Sequence, residues 1–129
     1  IADLDVVSAL RAGAAALGLP HHAGVCQSKD SFYGEVERSR MPMAQHLEER
    51  WQAWIAAGSL CSEMESAALF IISAIQRKRA GGIMQVINEF DLAETPAQSE
   101  GKHMNEFDAD RVIKVAVEGL KQLIVADRK

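Results

Sequence analysis

The alternation of hydrophobic periods along the chain predicts an α/β layered domain. Three observations carry that assignment. Stretches of helical period alternate with short strand-like runs; the apolar stretch after residue 65 is continuous enough for a central helix; and Gly or Pro separates most segments. With 129 residues, 48% of them hydrophobic, the chain is long enough to bury a core as one domain.

The first element spans residues 3–17. Asp3 suits an N-cap, Leu4, Val7, Leu10, Ala14 and Leu17 recur at helical spacing, and Gly18 with Pro20 ends the run. "HHAGVCQS" (21–28) is a short strand candidate centred on Val25 and Cys26. "KDSFYGEVERSRMPM" (29–43) is polar, punctuated by Gly34 and Pro42, and reads as a long loop. Loops of that length inside a domain usually serve function. Pro42 opens a helix with Leu47, Trp51, Trp54 and Ile55 on its apolar face, closed by Gly58.

"SLCSEM" (59–64) then resembles a strand end. Residues 65–79 form a helix that is apolar nearly all round, as a central helix would be, with Arg77, Lys78 and Arg79 in its last turn. "GIMQVINEF" (82–90) has the continuous apolar start of a buried strand. Residues 91–104, with Pro96 and Gly101, read as a second long loop and a candidate flap over a site at Asn88 and Glu89. The last element, about 107–126, is an amphipathic helix with Ile113, Val117, Leu120 and Ile124 on one stripe. Three short strands make a small sheet, either a minimal domain or part of a larger one.

Charge and composition exclude several classes. A net charge of −4 provides no footprint for nucleic acid or anionic membrane. The longest apolar stretch, 67–75, is far short of the roughly 20 residues of a membrane span, and no signal peptide is visible, so a cytoplasmic protein is expected. Cys26 and Cys61 lack metal-motif spacing and read as free, buried thiols. His21 and His22, adjacent on a strand, would point to opposite faces. No phosphate-cradling glycine loop or catalytic triad spacing occurs, and no metal site is expected.

Polar residues nevertheless gather where a parallel sheet collects ligands, at the C-terminal ends of the strands. Phe32, Glu35 and Arg38 follow the first strand, Glu63 and Glu65 the second, and Asn88 and Glu89 close the third. For each group a simpler role exists: helix-start carboxylates, a loop anchor, or a solvated arginine pair at Arg38 and Arg40.

"SEMESAALF" (62–70) resembles the ribose-binding signature of the nucleoside phosphorylase family. "SKDSFYG" (28–34), "MP" (41–42), "WQAW" (51–54) and "AGGIMQVINE" (80–89) extend the resemblance over nearly the whole chain and toward its uridine phosphorylase branch. The resemblance implies a three-layer α/β/α fold with a mixed central sheet, of which residues 1–129 would be the C-terminal half, usually assembled as dimers or hexamers. It implies a pentosyltransferase that uses inorganic phosphate as co-substrate and needs no cofactor or metal. Glu65 would accept bonds from the ribose 2′- and 3′-hydroxyls, a match of two acceptor oxygens to two donors. Met64 would floor the sugar, with Glu63 beside it. Phe32, Glu35, Arg38, Asn88 and Glu89 would line the base pocket, and Arg38 would stabilise the departing base.

Two positions depart from the family pattern. Glu35 stands where the bacterial branch carries a glutamine for the uracil edge, although a one-residue shift would put Val36 there. Glu89 stands where relatives carry an arginine, a glutamine or an aspartate. A purine phosphorylase or nucleosidase, with Glu89 protonating the base, is therefore an alternative. So is a non-catalytic nucleoside-binding module. The glycine-rich loop and arginines that hold phosphate in the family have no match in these residues.

Overall fold

The computed structural model describes residues 1–86 and 108–128, and the backbone of residues 88–89 and 102–103. The elements in order are helix α1 (Leu4–Ala16), strand β1 (Cys26–Ser28), helix α2 (Tyr33–Val36), a 3₁₀ turn (Arg38–Arg40), helix α3 (Ala44–Ala56), strand β2 (Cys61–Glu63), helix α4 (Ser66–Ile75), strands β3 (Asn88–Glu89) and β4 (Lys102–His103), and helix α5 (Ala109–Asp127). Helices dominate, with a small parallel sheet of two strands, β1 and β2. The chain forms two compact units. One comprises residues 1–23, 65–85 and 107–129, the other 24–64 and 86–106.

In the first unit α1 packs on α5. Asp3 caps α1 as its position suggests, its carboxylate accepting from the backbone of Asp5 and Val6. Asp108 does the same for α5 through Arg111 N–H. The helices meet at two glycines. A Cβ on Gly13 would lie 2.7 Å from the Gly119 nitrogen, and one on Gly119 would lie 3.1 Å from the Ala9 carbonyl oxygen. No larger residue fits while the backbones stay this close. Ala14 and Val115 are the buried apolar side chains beside this crossing.

The face of α5 that does this packing differs from the predicted stripe. Val115 and Gly119 are buried, whereas Ile113, Val117, Leu120 and Ile124 are about half exposed. Close approach selects the small-residue face; hydrophobicity alone had selected the other. Helix α4 differs similarly. It was expected to be central, yet Leu69, Ile71, Ile72 and Ile75 stand exposed, Ile75 at 71%.

Helix α4 also stops earlier than predicted, and the three cations lie beyond its last turn. Arg77 takes a left-handed conformation (φ 54°), Lys78 N–H donates to the Ser73 carbonyl and Arg77 N–H to that of Ala74. That is a Schellman ending with arginine where glycine is usual. Arg79, freed from the helix, forks onto the Asp127 carboxylate of α5 and approaches Asp5 of α1 at 3.8 Å.

In the second unit β1 and β2 run parallel with Cys26 opposite Cys61, Gln27 opposite Ser62 and Ser28 opposite Glu63. The flanking bonds Leu60 N–H to Val25 O (2.9 Å) and Lys29 N–H to Glu63 O (2.8 Å) extend the pairing at both ends. His21 and His22 precede the strand and are exposed. The loop predicted over 29–43 contains α2 and the 3₁₀ turn. Ser31 Oγ accepts Gly34 N–H at 3.0 Å, and the segment is also held from outside by Glu48 on Arg38 and Ser62 on Glu35. Helix α3 lies where a helix is expected, with Leu47, Trp51 and Ile55 partly buried and Gly58 (φ 81°) just beyond its end, but it begins at Ala44 with Pro42 in the turn ahead of it, and Trp54, expected on the apolar face, is 40% exposed.

Of the strand predicted over 82–90, residues 82–86 are not in a strand and Asn88–Glu89 are. Strand β3 pairs antiparallel with Lys102–His103 in a separate two-stranded sheet and not with β2. An apolar run acquires strand character only where a neighbour takes its backbone groups, and residues 82–86 have no strand partner here. The predicted loop and flap at 91–104 lies outside the described residues, apart from the backbone of β4.

The glycine crossing yields a first prediction. Gly13→Ala improves helix propensity by up to about 1 kcal/mol, but the backbone contact outweighs it. Overpacking should lower stability by about 1–3 kcal/mol, read as a lower urea midpoint with unchanged slope. A stabilised variant would mean the helices can part at no cost.

Candidate functional site

Parallel pairing brings the C-terminal ends of β1 and β2 to the same edge, where Ser28 and Glu63 are opposite each other. Ser28 Oγ donates to the Glu63 carboxylate. Period-two alternation puts Ser28, Glu63 and the cysteine pair on one face of this ribbon and Gln27 and Ser62 on the other.

The second face carries a buried polar cluster. Lys29 Nζ and Glu35 Oε1 pair at 2.5 Å with both side chains 8% exposed. Ser62 Oγ donates to Glu35 Oε2 at 3.1 Å. With its amide oriented by its neighbours, Gln27 donates to Ser62 Oγ and Glu35 Oε2, both at 3.2 Å, and accepts from Trp54 Nε1 at 3.3 Å. Glu35 thus meets an ammonium, a hydroxyl and an amide, so a carboxylate that would be costly to bury is compensated. The cluster joins β1, β2, α2 and α3.

Arg38 is the other fixed charge. It donates through Nη1 to the Glu35 carbonyl and through Nε to Glu48 Oε2 at 2.5 Å, and its guanidinium lies 5.5 Å from the Trp51 ring centroid. A hydrogen bond from Gln52 (2.8 Å), and then that from Arg38, hold the Glu48 carboxyl below its usual range against the opposing effect of partial burial. Two of the five guanidinium donors are used in these bonds, and the Nη2 pair is not among them. Arg40, by contrast, is exposed and pairs with Glu37.

The aromatic and soft groups near the strand ends are open. Phe32 is 48% exposed, edge-on to Tyr33 at 5.4 Å, with Lys29 Nζ 5.4 Å from its ring centroid. Met64, just past β2, is 41% exposed. Phe32, Glu35, Arg38, Glu63 and Met64 therefore share one compact unit. Phe32 and Met64 offer accessible surface, Arg38 offers donors, and Glu35 is turned inward onto Lys29.

Glu65 belongs to the other unit, where it precedes α4 and its carbonyl accepts Leu69 N–H at 3.1 Å. Asn88 and Glu89 form β3, and their side chains lie outside the described residues. Among the described residues there is no cluster of three potential metal-ligating side chains. No described helix is long and apolar enough to cross a membrane.

Lys29, Gln27 and Ser62 are not among the site candidates read from sequence, and Trp54 is read there as an apolar-face residue and not as a hydrogen-bond donor to this cluster. A signal was there: Cys26–Gln27–Ser28 and Cys61–Ser62–Glu63 place polar residues on both faces of two short strands. Such a pair needs a polar partner on each side.

The family model of the phosphorylase superfamily matches residues 1–125. The chain is 38% identical over 127 residues to a uridine phosphorylase of Treponema pallidum (strain Nichols), covering 98% of this chain and 48% of that protein. It is 32% identical over 132 residues to a uridine phosphorylase of Escherichia coli (strain K12), covering 96% and 49%. A uridine phosphorylase of Salmonella typhimurium matches at 31% with the same coverage. The chain spans about half the length of the curated relatives it matches.

The buried cluster yields a second prediction. Lys29→Met leaves the Glu35 carboxylate without its cation and should cost about 3–5 kcal/mol. Adding Glu35→Leu removes the stranded charge and should recover most of that loss. Urea unfolding of the two variants checks this; an additive double variant would show that the pair does not interact.

Proposed function

The chain belongs to the phosphorylase superfamily, and from that premise we propose that it provides the nucleoside-binding half of a uridine phosphorylase-like pentosyltransferase. The observation that carries this reading is the parallel register at the ends of β1 and β2. It sets the segment that follows Ser28, bearing Phe32 and Arg38, beside the strand that ends at Glu63, next to Met64. Ligands of open α/β sheets bind outside such strand ends, and the relatives named uridine phosphorylase match across nearly all of this chain.

In the proposed reaction phosphate attacks the anomeric carbon of the ribose as the N-glycosidic bond breaks. Positive charge develops on the sugar ring and negative charge on the departing uracil. Phe32 stacks on the base, and the Nη2 donors of Arg38 stabilise its developing charge. The Glu48 carboxylate and the Trp51 ring hold that guanidinium in position. Glu65 accepts both ribose hydroxyls and Met64 packs under the sugar, with Glu63 fixed beside them by Ser28. Asn88 and Glu89 complete the base pocket in this reading. The phosphate groups come from outside residues 1–129, and the reaction needs no metal or organic cofactor.

Glu35 takes no direct part in base recognition in this reading, because its oxygens are occupied by Lys29 and Ser62. It acts by bracing the turn that presents Arg38, whose Nη1 it receives on its carbonyl. The larger assembly follows the same proposal: a three-layer α/β/α domain with a mixed sheet, acting in the cytoplasm as a homo-oligomer. The assay is release of uracil and ribose 1-phosphate from uridine by the whole protein. Turnover that does not depend on phosphate would indicate a nucleosidase instead, and preference for inosine or adenosine a purine enzyme.

Glu65→Ala should reduce kcat/KM for uridine far more than for 2′,3′-dideoxyuridine. A hydrogen bond to a charged group contributes about 1.5–3 kcal/mol, and each 1.4 kcal/mol is about tenfold. The loss on uridine is therefore at least about tenfold and is absent without the hydroxyls. Equal losses on both substrates would make Glu65 a structural residue.

A further inference from the structure

We propose that Cys26 and Cys61 are a redox-modifiable dithiol that closes to a cross-strand disulfide when the native protein meets a low-molecular-weight disulfide such as oxidised glutathione. This goes beyond the catalytic reading and does not depend on it.

The geometry comes from the strand pairing. Cys26 and Cys61 are register partners in adjacent parallel strands, so their side chains leave the ribbon on the same face. Neighbouring strands run about 4.7–4.9 Å apart, inside the roughly 4.4–6.8 Å Cα separation that a disulfide spans. The sulfurs are already 3.1 Å apart, with the Cys61 thiol directed at Cys26 Sγ. Reaching a bond length of about 2.05 Å requires a closure of about 1 Å. Both residues are free thiols, and neither is fully buried.

The order of events follows from their surroundings. Burial, and then the neighbouring Cys61 thiol, push Cys26 up to about 12, so it stays protonated at neutral pH. With Cys26 held protonated, Cys61 opens the exchange: its sulfur attacks one sulfur of glutathione disulfide, and one glutathione leaves as a thiol with the Cys61 proton. Cys26 then attacks the Cys61 sulfur of the mixed disulfide. The second glutathione departs as a thiolate and takes up the Cys26 proton. Two protein thiols lose two electrons to become one disulfide, and one glutathione disulfide becomes two glutathione thiols. The low thiolate content of Cys26 is offset by its position against its target, since the second step is intramolecular.

The bond would sit two positions before Ser28 and Glu63, on their own face of the ribbon. It would covalently link the two strands whose ends carry the proposed nucleoside groups.

The test is incubation of the native protein with glutathione disulfide, followed by alkylation and a non-reducing peptide map. The expected result is loss of both thiols and a peptide pair linked through Cys26 and Cys61, two hydrogens lighter than the reduced pair and restored by dithiothreitol. Cys26→Ser should instead accumulate a stable glutathione adduct on Cys61. Separate glutathione adducts on both cysteines in the wild type would overturn the proposal. So would two thiols that stay alkylatable in the native protein and link only after unfolding in urea. The wild-type map decides the matter even if the variant fails to fold.

Discussion

The candidate site rests on one short parallel pairing, three residues of β1 against three of β2. Parallel strands cannot be joined by a tight hairpin and need a crossover of a dozen or more residues. Here the crossover is the segment from Lys29 to Leu60, containing α2, the 3₁₀ turn and α3. Pairing at one end and a long excursion at the other put the crossover's first residues beside the exit of β2. Phe32, Arg38, Glu63 and Met64 share a neighbourhood for that reason, although more than two dozen residues separate Arg38 from Met64.

The pairing in turn depends on how charge is buried beneath it. Lys29 and Glu35 would each be costly inside the protein alone. Together with Ser62 and Gln27 they form a satisfied set, and Trp54 closes it. Such a network is worth less as net stability than as orientation. It holds the short helix α2, which no propensity argument would support at four residues. The Glu35 carbonyl then receives Arg38, so the turn braced by the buried ion pair also fixes that arginine.

The other unit shows a different constraint, close backbone approach. Gly13 and Gly119 let α1 and α5 meet with almost no side chain between them. The bulky residues of α5 are displaced from that contact. The exposed isoleucines of α4 likewise show that apolar character need not mean burial within these residues. Contiguous exposed apolar surface commonly marks a region that other protein covers.

Local chemistry by itself determined where the longer helices lie and several of their ends, though not α2 or the stop of α4. Asp3 and Asp108 cap through their own neighbours, Gly18 and Gly58 adopt positive φ beyond the helix ends, and the Trp51 face of α3 follows from spacing. The family was legible too, since the run from Ser62 to Phe70 and its companion motifs are matters of residue identity and order. The tertiary structure decided what no local rule contains. It chose Gly119 over Leu120 as the packing face and paired residues 88–89 with 102–103. It turned Glu35 inward and set Cys26 against Cys61. Each of these depends on a partner distant in sequence. Burial, pairing and charge compensation belong to two segments at once, and only the folded chain specifies which two.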